Sequence, residues 1–113
     1  MNFEEGKVIA TLNYMDSILE LTLFRYLNDR VAVMLLEVTV DEDDGETYID
    51  DWGDVSVNVP MVDLNEGHFV LSQGMSELPD LLEKLEATGK IRNTKLTASY
   101  GFCCDRPIYE VIE

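Results

Sequence analysis

Three segments in the first forty residues alternate apolar and polar side chains, and they restrict the fold more than any other feature of the chain. They span residues 7–15 (KVIATLNYM), 18–27 (ILELTLFRYL) and 30–40 (RVAVMLLEVTV). All three are rich in the β-branched and aromatic residues that favour strands. Asp16-Ser17 and Asn28-Asp29 link them, and both pairs consist of turn-forming residues. The pattern predicts three antiparallel strands joined as consecutive hairpins.

The rest of the chain predicts shorter strands and one helix. Residues 55–59 (VSVNV), 68–72 (HFVLS) and 95–102 have strand patterns, and residues 108–112 form a carboxy-terminal tail. Leucines at 78, 81, 82 and 85 recur at helical spacing and predict a helix over residues 76–88. Pro79 falls in its first turn and Gly89 follows its end.

These elements predict the fold class. We expect one α+β domain over residues 1–113, because a chain of 113 residues is near the commonest size of a single domain. Its core would be a mostly antiparallel sheet of about five to six strands with the helix packed on one face.

Targeting signals are not evident in the sequence. The longest apolar run, residues 31–36, is much shorter than the roughly 20 residues of a membrane-spanning helix. The first residues include Glu4 and Glu5, whereas a secretory signal begins with basic residues. We therefore expect a cytoplasmic protein that does not contact a membrane.

Cysteine and histidine give little support for catalysis or a metal centre. Cys103 and Cys104 are adjacent, so we expect two free thiols, one buried and one exposed on a strand. A zinc site would need carboxylates, because His68 is the only histidine and the chain has no Cys-x-x-Cys pair. His68 itself is interpreted as structural rather than as a general base. We predict a protein that is not an enzyme and has no metal or cofactor.

Calcium binding is a weaker alternative suggested by residues 41–45 (DEDDG), which resemble the beginning of an EF-hand loop. With Gly45 at the sixth position, the first position is Val40 and the twelfth is Asp51. The first ligand and the bidentate glutamate are therefore missing. Weak binding of divalent cations is the hypothesis that remains.

The distribution of charge is the most informative feature for function. The formal net charge is -15, and no Lys or Arg lies between Arg30 and Lys84. Solubility alone needs a net charge of about 2 to 8 in magnitude, so this excess suggests a strongly basic partner. A generally acidic surface with no dedicated partner is the alternative. The base-free span holds fourteen acids, namely Glu37, Asp41, Glu42, Asp43, Asp44, Glu46, Asp50, Asp51, Asp54, Asp63, Glu66, Glu77, Asp80 and Glu83.

Residues 41–54 (DEDDGETYIDDWGD) are the densest part of this span and predict a solvated loop. Carboxylates at alternate positions of a strand lie about 6.6 Å apart on one face and can form a row of anions. Such a row can take the place of nucleic-acid phosphates. Trp52 either fixes the loop to the core or anchors an interface. The predicted partner-binding residues are Asp41, Glu42, Asp43, Asp44, Glu46, Asp50, Asp51, Trp52 and Asp54.

The carboxy-terminal half resembles a small family of unknown function from bacterial mobile elements and phages. The matching features are Tyr48, residues 55–60 (VSVNVP), the helix that ends at Gly89, and residues 100–109 (YGFCCDRPIY). Family members similarly carry a Gly-aromatic-Cys segment followed by Pro, an aliphatic residue and an aromatic residue. Asp105-Arg106 lengthens the interval before the proline here. The resemblance implies a mobile-element setting and no catalytic residue.

The same motif also has a structural interpretation, with Gly101 at a bulge, Phe102 and Tyr109 in the core, and Pro107 in a turn. Charge and resemblance together predict an acidic inhibitor that mimics nucleic acid. It would block the basic groove of a host defence effector, of the anti-restriction or anti-CRISPR type, without binding nucleic acid itself. The alternatives are a non-catalytic accessory interaction module of a mobile element and a weak divalent-cation-binding protein. A homodimer remains open.

Overall fold

The amino-terminal meander is confirmed. A computed structural model describes residues 2–112, and its first strands are β1 (Lys7–Tyr14), β2 (Ser17–Arg25) and β3 (Val31–Val40). Each strand pairs antiparallel with the next. Met15 and Asp16 form the first turn with φ of 47° and 66°, the left-handed backbone that a tight two-residue hairpin requires.

The acidic segment is not a loop throughout, contrary to the sequence prediction. Residues 41–46 form a turn, but β4 (Thr47–Asp54) is a strand that pairs antiparallel with β3 and completes a first sheet in the order β1-β2-β3-β4. Acids are tolerated there because the side chains of residues 47–51 are exposed, and charged residues on an edge strand also disfavour pairing with other chains. Tyr48, Ile49 and Trp52 provide the aromatic and β-branched residues that favour a strand.

A second four-stranded sheet follows, so the predicted single sheet is in fact two. Its strands are β5 (Ser56–Val57), β6 (His68–Leu71), β7 (Ile91–Tyr100) and β8 (Cys103–Val111), in the order β5-β6-β8-β7. All of its neighbours are antiparallel. The predicted strand at 55–59 is shorter, the one at 95–102 begins earlier, and the tail at 108–112 is the end of a nine-residue strand.

The predicted helix is interrupted. A short helix α1 (Gln73–Ser76) is separated by Glu77 and Leu78 from α2 (Pro79–Ala87). Pro79 causes the break, because it has no N–H to donate and disfavours helical backbone at the residue before it. Leu78 accordingly has φ -121° and ψ 68°. Gly89 ends α2 as predicted, with a left-handed φ of 74°.

One buried cluster joins both sheets and both helices. It includes Leu19, Leu21 and Leu23 of β2, and Val33 and Leu35 of β3. Across from them lie Phe69, Leu71 and Tyr109 of the second sheet, Met75 of α1, and Leu81 and Leu85 of α2. The architecture is a mostly antiparallel α+β fold.

Val55 connects the two sheets through its backbone. Its N–H donates to the carbonyl of Val33 at 2.9 Å, and its carbonyl accepts from the N–H of Ser72 at 2.9 Å. The neighbouring Ser56 hydroxyl accepts from the N–H of Val33 at 2.9 Å and contacts the Tyr26 hydroxyl at 2.8 Å. Residues 55–56 thus continue the pairing of β3 where β4 ends.

The carboxy-terminal motif is only partly placed as its structural interpretation expected. Tyr109 is buried, and its hydroxyl donates to Glu86 of α2 at 2.8 Å. Phe102 is not in the core but fully exposed at the β7–β8 turn, beside Gly101 with φ 54°. Pro107 lies within β8 rather than in a turn.

Candidate functional site

The β3–β4 hairpin carries most of the predicted site. Val40 and Thr47 are its last paired residues, and the N–H of Asp41 donates to the carbonyl of Glu46 at 2.8 Å. Gly45 has φ 71° and donates its N–H to the carbonyl of Asp41 at 2.8 Å. Residues 39–51, called the acidic hairpin below, are exposed except for Asp41, which is half-buried. The hairpin is therefore in solvent on both faces.

In the turn of the hairpin, residues 41–46, carboxylates accept hydrogen bonds that order the backbone. Asp41 Oδ1 accepts from the N–H of Asp43 at 2.8 Å, and Asp44 Oδ1 accepts from the N–H of Glu46 at 2.8 Å. The hydroxyl of Tyr48 donates to Asp44 Oδ2 at 3.1 Å. These are Asx-type turns, in which an asparagine oxygen serves as well as an aspartate oxygen. Removing the charge from Asp41 or Asp44 therefore need not alter the turn.

The acids of β4 do not form one row, contrary to the prediction. Asp50 pairs with Glu37 and Asp51 pairs with Leu36, so adjacent carboxylates point to opposite faces of the hairpin. Asp54 ends the strand, about 23 Å from Thr47 at the usual rise per residue. The structure thus brings together Asp41, Glu42, Asp43, Asp44, Glu46, Asp50 and Asp51, and leaves Asp54 apart.

Arg30, the basic residue that precedes this hairpin in the sequence, lies far from it. Arg30 precedes the first residue of β3 and Asp41 follows its last, so about 33 Å of strand separates them. Arg30 donates instead to the carbonyl of Val59 at 2.8 Å. The contacts of Glu110 with Arg92 and with His68 lie on the second sheet, and no carboxylate of the acidic hairpin pairs with a cation among residues 2–112. Its seven carboxylates are therefore not neutralised by ion pairing within the described chain.

Trp52 has the contacts of a residue that fixes the hairpin to the core. It is the extra residue of a bulge in β4, because Gly53 pairs with Leu35 and Asp51 with Leu36. Its half-buried ring packs against the main buried cluster. The ring meets Tyr14 edge-to-face, with centroids 6.0 Å apart and planes at 89°.

His68 belongs to an ion-pair group on the second sheet. Its Nε2 lies 3.3 Å from Glu110 Oε2, directly across the β6–β8 pairing. Arg92 donates to the other carboxylate oxygen from Nε and from a terminal nitrogen. The hydrogen bond from Arg92 is the main reason why the pKa of Glu110 is lowered. Every group in this cluster has a partner.

The two cysteines are the remaining side chains that the sequence analysis singled out. Cys103 is half-buried and Cys104 exposed at the beginning of β8, and both are free thiols. Within residues 2–112, no group of three His, Cys, Asp or Glu side chains is arranged to hold a metal ion. No helix in that range is long and apolar enough to cross a membrane.

Apolar residues accompany the acids on this hairpin, and they were not among the predicted site residues. Val40, Tyr48 and Ile49 are 57%, 45% and 57% exposed on the acidic hairpin. The signal was present in β3, where the residues at 32, 34, 36, 38 and 40 are all apolar although they lie on the side of the strand opposite Val33 and Leu35, which face the core. Comparison with protein-family models, with curated proteins and with solved structures finds no match to this chain.

Proposed function

We propose that this protein binds a strongly basic surface of a nucleic-acid-binding protein through its acidic hairpin and thereby excludes nucleic acid from that surface. The observation that carries the proposal is the group of seven carboxylates on residues 41–51, which have no ion-pair partner within the described chain. Their mutual repulsion disfavours the folded state. A partner that neutralises them offsets that cost.

The shape of the hairpin supports a groove as the target. Carboxylates lie at its tip and, through Asp50 and Asp51, on both of its faces. A two-stranded ribbon with charge on several sides can contact two basic walls at once, whereas a flat acidic face meets one. Grooves that bind nucleic acid are lined in this way by Lys and Arg, because they must neutralise phosphates.

The proposed setting is a bacterial cytoplasm during infection or plasmid transfer. The reason for this setting is the resemblance expected from the sequence of residues 100–109, which the comparisons with known proteins do not show. There, a protein that denies nucleic acid to a restriction or CRISPR effector benefits the element. The proposed role is that of a non-enzymatic inhibitor that needs no cofactor.

The experiment uses two variants that each lose five charges. The hairpin variant carries Asp→Asn at positions 41, 43, 44, 50 and 51, and retains the amide oxygens that order the turn. The control variant carries Asp29→Asn, Asp63→Asn, Glu77→Gln, Glu83→Gln and Asp105→Asn, all exposed positions elsewhere. Tagged parent and control proteins should capture the same nucleic-acid-binding protein from a bacterial host extract, and the hairpin variant should not. Equal capture by all three would reject the hairpin as the contact.

The cation-binding alternative makes a different prediction. Calcium at about 1 mM would raise the melting temperature beyond the effect of sodium at equal ionic strength, since specific binding adds to charge screening. Under our proposal the two salts act alike, and a chelator changes nothing. A calcium-specific shift that the hairpin variant abolishes would favour the alternative.

A further inference from the structure

On the outer face of the first sheet, which points away from the core, β3 is apolar, whereas an exposed sheet face is ordinarily polar. In an antiparallel sheet with one solvated face, residues on that face are polar and alternate with buried ones. The outward residues of β3 are Ala32, which is itself buried, and Met34, Leu36, Val38 and Val40. On its outward side this strand therefore has the composition of one that is covered by other protein.

The second half of β3, residues 36–40, is apolar on the outward side only. Its inward residues there are Glu37 and Thr39, whereas Leu36, Val38 and Val40 face outward. Ile18, Val38 and Ile49 form one row across three strands, and Ile18 and Ile49 are 44% and 57% exposed. The second half thus differs from residues 31–35, where Val33 and Leu35 enter the core and the residues on the other side are apolar as well.

No part of the described chain buries this row. Neither of the two buried hydrophobic clusters of residues 2–112 includes Ile18, Leu36, Val38 or Ile49. Val8, on β1 of the same face, is also 42% exposed. Contiguous apolar surface rimmed by polar residues is typical of a protein–protein contact.

The carboxylates on this face indicate which kind of protein surface can bind it. Leu36 lies in the neighbouring cross-strand row, where it is paired with Glu20 on one side and Asp51 on the other. Carboxylates therefore lie within this face as well as around it. A second copy would bring its own Glu20, Asp51 and net charge of -15 against them. Buried carboxylates without a cationic partner are strongly unfavourable. A surface with apolar side chains and Lys or Arg beside them complements this face.

We propose that the outer face of the first sheet docks an apolar protein surface that carries Lys and Arg. This inference rests on the proposed function only for the positive charge of the partner, and it holds whether or not nucleic acid is excluded. The row of Ile18, Val38 and Ile49 supplies the buried centre of the interface, and the carboxylates of the acidic hairpin supply its charged rim. The rim accelerates association, while the apolar centre slows dissociation.

The test uses synthetic peptides in place of the unidentified partner. One is an amphipathic helical peptide of about 14 residues made of Leu and Lys, and the other replaces every Leu by Gln, which also favours helices and keeps the charge. Calorimetry at matched ionic strength should give the parent protein at least about tenfold tighter binding to the Leu/Lys peptide. Methyl NMR shifts should fall on Ile18, Val38 and Ile49. Equal affinity for both peptides would overturn the proposal.

Two further variants localise the effect. The face variant carries Ile18→Thr, Val38→Thr and Ile49→Thr, which keep β-branched side chains in the strands. The control carries Leu27→Thr, Met61→Thr and Leu96→Thr, three exposed apolar positions off this face. The face variant should lose the preference for the Leu/Lys peptide and the control should keep it. A preference that survives in the face variant would contradict the assignment.

Further measurements distinguish failure of this proposal from misfolding of the triple variant and from failure of the proposed function. If the triple variant does not fold, Ile49→Thr alone, on the exposed edge strand, should lower the preference about threefold, and an unchanged preference would overturn the assignment. A parent dimer that Ile49→Thr dissociates would assign the face to a second copy and refute the basic partner. Failure of nucleic-acid competition, with the peptide preference intact, would reject only the proposed function.

Discussion

Glu37 of β3 lies directly opposite Asp50 of β4, so two carboxylates form one cross-strand pair at the base of the acidic hairpin. Glu37 is half-buried and its other neighbour across the sheet is Leu19 of the core. Like charges directly opposite each other destabilise a sheet. The fold therefore retains an unfavourable pair next to its proposed contact surface.

Replacing Asp50 by Lys should stabilise the isolated protein. The new pair of opposite charges should raise the free energy of unfolding by about 0.2 to 1 kcal/mol, measured by urea denaturation. Asp51→Lys is the matched control, because it makes the same change of charge opposite Leu36 and should stabilise less. Equal gains in the free energy of unfolding at both positions would show that the stabilisation comes from the change in net charge rather than from the pair with Glu37.

Salt should stabilise the protein for a related reason. Raising NaCl to about 0.5 M shortens the Debye length well below its value of about 10 Å at 0.1 M, and so weakens repulsion among the hairpin carboxylates. The melting temperature should rise with salt, and the rise should be smaller in the hairpin variant. A flat or falling melting temperature in the parent protein would argue against a concentrated acidic surface.

Trp52 should matter for stability more than for binding. Trp52→Ala removes its packing on the core and its edge-to-face contact with Tyr14. Because the ring is only half-buried, the expected loss is about 2 to 3 kcal/mol, below the 3 to 5 kcal/mol typical of buried aromatics. Affinity for the partner, measured under conditions where the variant is folded, should change little. A large loss of affinity with unchanged stability would instead make Trp52 an interface anchor.

Glu110 should make the stability of the second sheet depend on pH. Its pKa is lowered in the folded protein, chiefly by the hydrogen bond from Arg92. Its stabilising contribution is therefore complete above the unfolded value of about 4.3 and is lost as pH falls through the folded pKa. Melting temperatures of the parent and of Glu110→Gln should differ near neutral pH and converge in acid. A difference that persists at the lowest pH would rule out this ionisation as its source.

Local patterns predicted the first three strands because alternation and turn residues act within each hairpin. Residues 47–54 were missed as a strand because acids disfavour strands, and only pairing with β3 overrides that preference. The interruption of the helix follows from Pro79, whose effect on Leu78 the leucine spacing does not reveal. The long β7–β8 hairpin was cut short because register shifts between Asn93 and Leu96 and between Ala98 and Tyr100 disturb its alternation.

The position of the acidic site in the sequence was predictable, but its geometry was not. The single extra residue at Trp52 shifts the register, and a shift of one residue moves every following side chain to the other face. No pattern within residues 41–54 indicates that bulge. The faces of Asp50, Asp51 and Trp52 therefore become clear only from their pairing with Leu35, Leu36 and Glu37.

The most direct test of the central claim is displacement of nucleic acid from the captured partner. Fluorescence anisotropy of labelled DNA or RNA bound to the partner should fall to the value of free nucleic acid as the parent protein is added, with competitive kinetics. The control variant should displace it equally, whereas the hairpin variant should require at least about tenfold more protein. If nucleic acid and this protein bind the partner together, or if the hairpin variant displaces as well as the parent, mimicry by the acidic hairpin is refuted.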